Sequence, residues 1–136
     1  MGFEIAGQCL VVCLGEALID RLGPPGGDPG VDRPVDNRLG GAPANVACGL
    51  ARLGTPVAFA GRLGQDAIGA AFCRLFVERG VETALLQRDA ERPSRIVLVR
   101  RARDGERQFQ GFEGDQGPAL PTRRWSRFSS PRPNGC

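Results

Sequence analysis

The amino-acid sequence predicts an α/β fold, and three observations lead to this prediction. Cys9–Leu14 is a continuous apolar segment, which is typical of a strand buried on both faces in a parallel sheet. Apolar residues then recur with helical spacing in two segments, Pro43–Leu53 and Asp66–Arg79. A strand-like segment at Arg95–Phe112, interrupted by a turn, predicts an antiparallel hairpin. The 136 residues suit one small domain or part of a larger one.

The first part of the chain contains a loop and a short strand that lead to the first predicted helix. Gly15–Asp20 continues from the first strand, and residues 23–30, which are mostly Gly and Pro, are predicted to form a loop. Arg33–Leu39 is predicted to be a short strand. Pro43 suits the first helical turn because its missing N–H group is not needed there. Gly54 is the expected C-terminal cap.

The second part of the chain continues the alternation of strands and helices. Val57–Ala60 is predicted to be a second short buried strand, and Asp66 is expected to cap the second helix. The turn signal Asp104-Gly105 separates Arg95–Arg100 from Glu106–Phe112, in which polar and apolar residues alternate. These two segments are therefore the expected strands of the hairpin.

The absence of two residue types excludes several kinds of catalytic centre. The sequence has no His, and all 18 of its basic residues are Arg. Without His, the chain holds no Ser-His-Asp triad, no Cys-His dyad and no His-ligated metal. Without Lys, it holds no Walker A phosphate loop, no Schiff-base lysine and no Ser-x-x-Lys acylase. Carboxylate, Cys, Ser/Thr, Asn, Arg and backbone chemistry remain.

The basic excess lies in the last residues of the chain. The formal net charge is +3, and residues 119–136 carry four Arg and no acidic residue. From about Pro118 the sequence has neither the period of a strand nor that of a helix, so 118–136 is predicted to be an unpatterned, disordered tail. Trp125 and Phe128 lie among these Arg residues, but a short basic coil explains them better than a nucleic-acid site does. No nucleic-acid partner is expected.

The sequence also predicts a cytoplasmic protein with no membrane segment. Residues 1–8 carry an acidic group and no basic group, unlike a signal peptide. No apolar segment approaches the ~20 residues of a membrane span. Four of the five cysteines lie in predicted strands and helices, and we interpret them as buried free thiols rather than as a zinc site. They are Cys9, Cys13, Cys48 and Cys73.

Two places combine backbone freedom with polar side chains. Gly40-Gly41 precedes a helix, where N–H groups attract polar or anionic oxygens, and Asn45 lies in the first turn of that helix. Asp20 follows a buried strand, in the region of open α/β sheets where ligands bind, and a carboxylate there can accept hydrogen bonds from two adjacent sugar hydroxyls. An ordinary turn into a helix and an Asx turn are the alternatives for these two places.

Several separate motifs then extend this pattern in order. The segments are VVCLGEALID, LGGAPANVACGLARLGTPVAFAGRLGQDAIG and RGVET, and within them lie Gly40-Gly41, Asn45, Leu53-Gly54 and a Gly-x-Asp-x-x-Gly made by Gly64, Asp66 and Gly69. From about Val11 to Gly117 this arrangement resembles the amino-terminal half of the PfkB (ribokinase-like) carbohydrate kinases, and most of all the fructokinases. Several motifs in one order are far more specific than a lone glycine pattern.

The resemblance implies an incomplete ribokinase-like doubly wound sheet with a small β lid. The domain would cover residues 1–117, with lid strands at about 33–39 and 95–112, and a homodimer through the lid is implied as well. The family transfers the γ-phosphoryl group of ATP, with Mg²⁺, to a sugar hydroxyl, and fructose is the expected sugar.

The resemblance also implies which residues bind the substrate. Four positions match those that hold the sugar: Asp20, Gly40, Gly41 and Asn45. Gln108 and Phe109 lie on the predicted lid hairpin and are further candidates without a residue-by-residue match.

The second signature of the family is missing from the sequence. That signature is a Gly-Ala-Gly-Asp loop whose backbone forms an anion hole and whose Asp is the catalytic base, and no such string occurs in the 136 residues. We therefore expect no catalytic residue and no ATP-binding half. The chain is predicted to be a truncated sugar-binding part of a kinase that is inactive alone. The alternatives are a non-catalytic sugar-binding module and a lid-mediated interaction protein.

Overall fold

A computed structural model describes residues 11–113, which form two β-sheets and two helices. In chain order the elements are β1 (Val11–Leu14), β2 (Leu18–Pro25), β3 (Asp36–Gly40), α1 (Ala42–Arg52), β4 (Val57–Gly64), α2 (Ala67–Arg79), β5 (Leu86–Asp89), β6 (Ile96–Arg101) and β7 (Arg107–Glu113). The predicted α/β class is confirmed. None of the helices in the described range is long and apolar enough to cross a membrane.

The first sheet is parallel and has the strand order β1–β4–β5. Both helices cover the face of this sheet that carries Cys13 and Phe59. Three phenylalanines form the centre of this core, with ring centroids 4.9 Å apart for Phe59 and Phe76 and 5.7 Å apart for Phe72 and Phe76. All three side chains are fully buried, so the apolar periods of α1, α2 and β4 converge on one core.

The second sheet has the strand order β3–β2–β6–β7. Its central pair, β2 and β6, is parallel, whereas β3 and β7 pair antiparallel with their neighbours. The predicted hairpin is therefore confirmed as β6 and β7. Asp20 lies opposite both Arg38 and Val97, and Val97 lies opposite Phe112. Paired residues project to the same face, so these four side chains share one face of the sheet.

Both helices begin and end close to the predicted residues. Asp66 is the N-cap of α2, and its Oδ1 accepts a hydrogen bond of 2.8 Å from the backbone N–H of Gly69. Gly80 closes the same helix. In α1 the proline lies in the first turn and Gly54 follows the last turn, as expected.

The strands contain the errors of the sequence analysis. Residues 23–25 were predicted to be loop, and this is wrong, because β2 continues to Pro25. The pairing of β2 with β6 shifts register between Leu22 and Pro25, and prolines are tolerated at such irregular positions. β5 was not predicted, and β4 extends beyond Ala60 to Gly64, where its second half pairs with β5.

Other predictions lie partly or wholly outside the described residues. The boundary near Gly117 and the tail at 118–136 belong to this group, so they stay predictions.

The interpretation of the cysteines as free thiols holds for Cys13 and Cys48. It is wrong for Cys73, which is disulfide-bonded.

Candidate functional site

Three elements bring the predicted site residues together where β3 leads into α1. Asp20 projects from β2, Gly40 ends β3, and Gly41 is the N-cap of α1. A Cβ atom built on Gly40 would lie 2.7 Å from Oδ2 of Asp20. The carboxylate therefore occupies the space beside Gly40, and any side chain at this position would displace it.

Gly41 lies at a second close approach. Its φ is +99°, and a Cβ atom there would lie 2.6 Å from the carbonyl oxygen of Glu16, in the loop between β1 and β2. Only glycine accommodates both the backbone angle and this contact. The carbonyl of Gly41 accepts a 2.9 Å hydrogen bond from the backbone N–H of Asn45, whose side chain is exposed. The site thus has a fixed backbone on one side and an accessible amide on the other.

Asp20 differs from every other described aspartate in its hydrogen bonding. Within residues 11–113 its half-buried carboxylate makes no hydrogen bond or ion pair. The other aspartate side chains in this range accept at least one hydrogen bond each: Asp28, Asp32, Asp36, Asp66, Asp89 and Asp104. A partly buried carboxylate without a protein partner is costly unless a ligand or water satisfies it, so Asp20 has the property of a binding group.

An aromatic pair lies on the face of the second sheet that carries Asp20. The rings of Phe109 and Phe112 meet edge to face with their centroids 5.0 Å apart, and they are 64% and 40% exposed. Gln108 lies opposite Arg100, and Phe109 lies opposite Val99, so Gln108 projects to the other face. The structure therefore groups Phe109, but not Gln108, with the carboxylate.

A bridge of side chains links this aromatic pair to the loop beside Gly41. Arg95 donates a 2.9 Å hydrogen bond to Glu16, and its guanidinium carbon lies 5.1 Å from the centre of the Phe112 ring. The sequence analysis did not single out Glu16, Arg95 or Phe112 as site residues. No local pattern could have done so, because 79 residues separate Arg95 from Glu16 and only the pairing of β2 with β6 brings them together.

The Gly-x-Asp-x-x-Gly motif serves the fold instead of the candidate site. Burial raises the pKa of Asp66, but hydrogen bonds from the backbone of Gly69 and Ser94 and from the Ser94 hydroxyl outweigh it, and the pKa is lowered overall. Ser94 is buried and in turn accepts a hydrogen bond from the N–H of Gly64. This network joins the start of α2 to the segment before β6.

A second carboxylate in the same region is also engaged. Asp89 forms a 3.0 Å ion pair with Arg62, and backbone N–H groups of Glu91 and Arg92 donate to it. Burial raises its pKa, but these partners lower it overall. A cavity of about 240 Å³ lies beside Asp66 and Asp89. Both of these carboxylates already have protein partners, unlike that of Asp20.

Within 11–113, no three His, Cys, Asp or Glu side chains gather as a metal site would require. The arrangement offers one free carboxylate, one free amide and two exposed rings, a set of groups suited to a neutral polyhydroxyl ligand.

Comparisons of sequence identify relatives among the fructokinases. The chain is 37% identical over 106 residues to the probable fructokinase-7 of Arabidopsis thaliana, covering 77% of this chain and 31% of that protein. It is 41% identical over 96 residues to the fructokinase of Escherichia coli, covering 71% of this chain and 29% of that protein.

Comparisons of structure agree. The fructokinase of Xylella fastidiosa with bound ATP superposes with a TM-score of 0.64 at 41% identity, covering 76% of this chain and 32% of that one. The fructokinase of Halothermothrix orenii superposes with a TM-score of 0.67 at 31% identity, covering 79% and 38%. The chain thus spans about a third of the length of the proteins it matches.

The family assignment rests on a match along nearly the whole sequence. The sequence model of the family described as "pfkB family carbohydrate kinase" matches residues 8–130, and this match extends beyond Gly117. The order of the Gly-Gly turn, the helix and the Gly-x-Asp-x-x-Gly motif agrees with the observed β3–α1–β4–α2 segment. This chain belongs to the pfkB family of carbohydrate kinases.

Proposed function

We propose that this chain is the sugar-binding part of an ATP-dependent carbohydrate kinase and that its sugar is fructose. The free carboxylate of Asp20 beside Gly40 is the observation that carries the proposal. A charged acceptor that is poorly solvated and unpaired gains most from two adjacent hydroxyl donors, which is what a sugar presents. The likeness to fructokinases supports fructose as the sugar.

The neighbouring groups complete the proposed sugar site. The Asn45 amide both donates and accepts, so it can bind a further hydroxyl from the start of α1. The exposed rings of Phe109 and Phe112 offer an apolar surface on the same sheet face, against which the C–H face of a sugar ring can pack. We propose that the second sheet is the lid of the family and that it covers the bound sugar.

The proposal excludes phosphoryl transfer by this chain alone. Transfer needs positioned charge around the phosphates and a base for the sugar hydroxyl. The sequence has no Gly-Ala-Gly-Asp string, and within residues 11–113 no three His, Cys, Asp or Glu side chains gather as a metal site would require. We therefore assign nucleotide and metal binding to the two thirds of the relatives that this chain does not match. A cytoplasmic location and dimerisation through the lid remain predictions.

Calorimetric titration with fructose tests the proposal. We expect saturable heat for the unaltered chain and about a 10- to 100-fold weaker affinity for Asp20→Ala, because hydrogen bonds to a charged group contribute about 1.5–3 kcal/mol. Asp104→Ala is the matched control, since this carboxylate only accepts from the backbone of Glu106 in the hairpin turn. Equal affinity of the Asp20 and Asp104 variants would remove Asp20 from the site. No saturable heat with the unaltered chain would overturn the proposed function.

A further inference from the structure

Asp20 has a cation directly opposite it in the second sheet but does not pair with it. Asp20 of β2 lies opposite Arg38 of β3, and the Cβ atoms of residues paired in this way are about 4.5–5.5 Å apart. Nε of Arg38 instead donates a 2.6 Å hydrogen bond to Oδ2 of Asp36, which lies two positions earlier on the same strand. Two positions along a strand span about 6.4–6.8 Å. Arg38 thus binds the carboxylate whose backbone is farther away.

The Asp20 side chain leans towards Gly40, which lies on the other side of Arg38 from Asp36. A Cβ atom built on Gly40 would lie 2.7 Å from Oδ2 of Asp20, so the carboxylate fills the space that the glycine leaves. Asp36, Arg38 and Gly40 are alternate residues of β3, and all three belong to the sheet face that carries Asp20. The guanidinium of Arg38 and the carboxylate of Asp20 are therefore neighbours that are directed to different partners.

The ion pair that holds Arg38 is exposed, so a small difference in free energy decides which carboxylate it binds. The side chains of Arg38 and Asp36 are 58% and 41% exposed, and ion pairs at such positions contribute little to stability. Without the Asp36 carboxylate, the acceptor directly opposite Arg38 would be Asp20. Pairing there would occupy the carboxylate that we assign to the sugar hydroxyls, and Arg38 would compete with the sugar for it.

We propose that Asp36 is a positioning residue of the sugar site, which holds Arg38 away from Asp20 and so keeps the Asp20 carboxylate free for sugar hydroxyls. Asp36 acts through Arg38 and does not itself contact the sugar. This inference rests on the proposed function. It adds the edge strand β3 to the parts of the chain that determine the affinity for the sugar.

Fructose titration of variants of the full chain tests this role. We expect Asp36→Ala to weaken the affinity about 2- to 5-fold, because Arg38 must then leave Asp20 before the sugar binds. Adding Arg38→Gln to Asp36→Ala should restore the affinity to within about twofold of that of the unaltered chain, since the competing cation is gone. Asp104→Ala is the matched control, because it also removes one negative charge but lies in the hairpin turn.

The side-chain Nε–H resonance of Arg38 in a nitrogen-15 NMR spectrum gives a readout that needs no sugar. We expect Asp36→Ala to shift this resonance, because it removes the acceptor at 2.6 Å. Asp20→Asn alone should leave the resonance in place. In the Asp36→Ala chain, the further substitution Asp20→Asn should shift it again, because Arg38 then loses its second acceptor.

Two NMR results would overturn the proposal. A shift on Asp20→Asn alone as large as that on Asp36→Ala would show that Arg38 already pairs with Asp20. The absence of a further shift in the chain with both substitutions would show that Arg38 does not turn to Asp20 when it is released.

The titrations separate this inference from the proposed function. Saturable heat that Asp36→Ala leaves unchanged, or a loss of affinity that persists when Arg38→Gln is added, would overturn the role of Asp36 alone. No saturable heat with the unaltered chain would overturn the proposed function, and the role of Asp36 in sugar binding with it.

Discussion

Gly40 and Gly41 are adjacent but limit substitution in different ways. Gly40 leaves room for the Asp20 carboxylate, which is a flexible side chain that can move. Gly41 approaches the backbone carbonyl of Glu16 and has a positive φ, so neither restriction can be relieved by a side-chain rotation. A larger residue at Gly40 is therefore expected to disturb the candidate site, and one at Gly41 to disturb the fold itself.

Two glycine-to-alanine variants separate conformational strain from helix propensity. We expect Gly41→Ala to lower the free energy of unfolding by about 1–3 kcal/mol, because Ala is strained at this φ. Gly49→Ala should raise it by about 0.5–1 kcal/mol, because Gly49 lies exposed inside α1 with no atom within 4 Å of its Cβ position. Urea denaturation followed by circular dichroism measures both. Equal effects of the two variants would contradict the close approach at Gly41.

Two half-buried carboxylates make the stability depend on pH in a defined direction. The pKa values of Asp66 and Asp89 are lowered in the folded chain, so both favour folding above the ordinary carboxyl pKa of about 3.9. This contribution is complete above about pH 5 and is lost as the pH falls below about 4 and passes through the lowered values. Thermal melts between pH 7 and pH 3 should show the loss. Asp66→Asn should flatten the profile, and an unchanged slope in that variant would exclude Asp66 as a cause.

At the scale of elements, the sequence analysis predicted the helices and strands that have strong local signals. The caps of α2 are local, and Asp66 and Gly80 were therefore sufficient to place it. The apolar segment of β1 and the turn within the hairpin were equally clear. The elements that failed depend on partners far along the chain. β5 has only four residues and a polar sequence, and it is a strand because β4 extends beside it.

β2 shows the same limit of prediction from local sequence, here at the candidate site. Its glycines and prolines favour a loop, and the pairing of Pro25 with Arg101 of β6 overrides this preference. The motif comparison singled out Asp20 and Gly40-Gly41, and the structure brings Asp20 close to Gly40. It could not show that Phe112 and Arg95 lie near them, because the register between distant strands has no local signature. The sequence therefore indicated one side of the site, and the fold adds the other.

At the scale of the whole molecule, the two sheets differ in how local their contacts are. The first sheet is built from β1, β4 and β5, with α1 and α2 between these strands in the chain. The second sheet has at its centre a parallel pair whose strands lie near opposite ends of the described residues. Within residues 11–113 the hydrophobic core cluster belongs to the first sheet and its helices, so we expect the second sheet to form after that part of the chain has folded.

The separation of β2 and β6 along the chain determines when they can pair during synthesis on the ribosome. Asp20 and Val97 are partners that lie 77 positions apart. At a translation rate of about 5–20 residues per second, β6 is synthesised roughly 4–15 s after β2. The carboxylate of Asp20 is thus among the first of the site groups to be translated and among the last to reach its final surroundings. Pulse-labelling exchange on arrested nascent chains should show β4 amides protected before those of β2, and simultaneous protection would contradict this order.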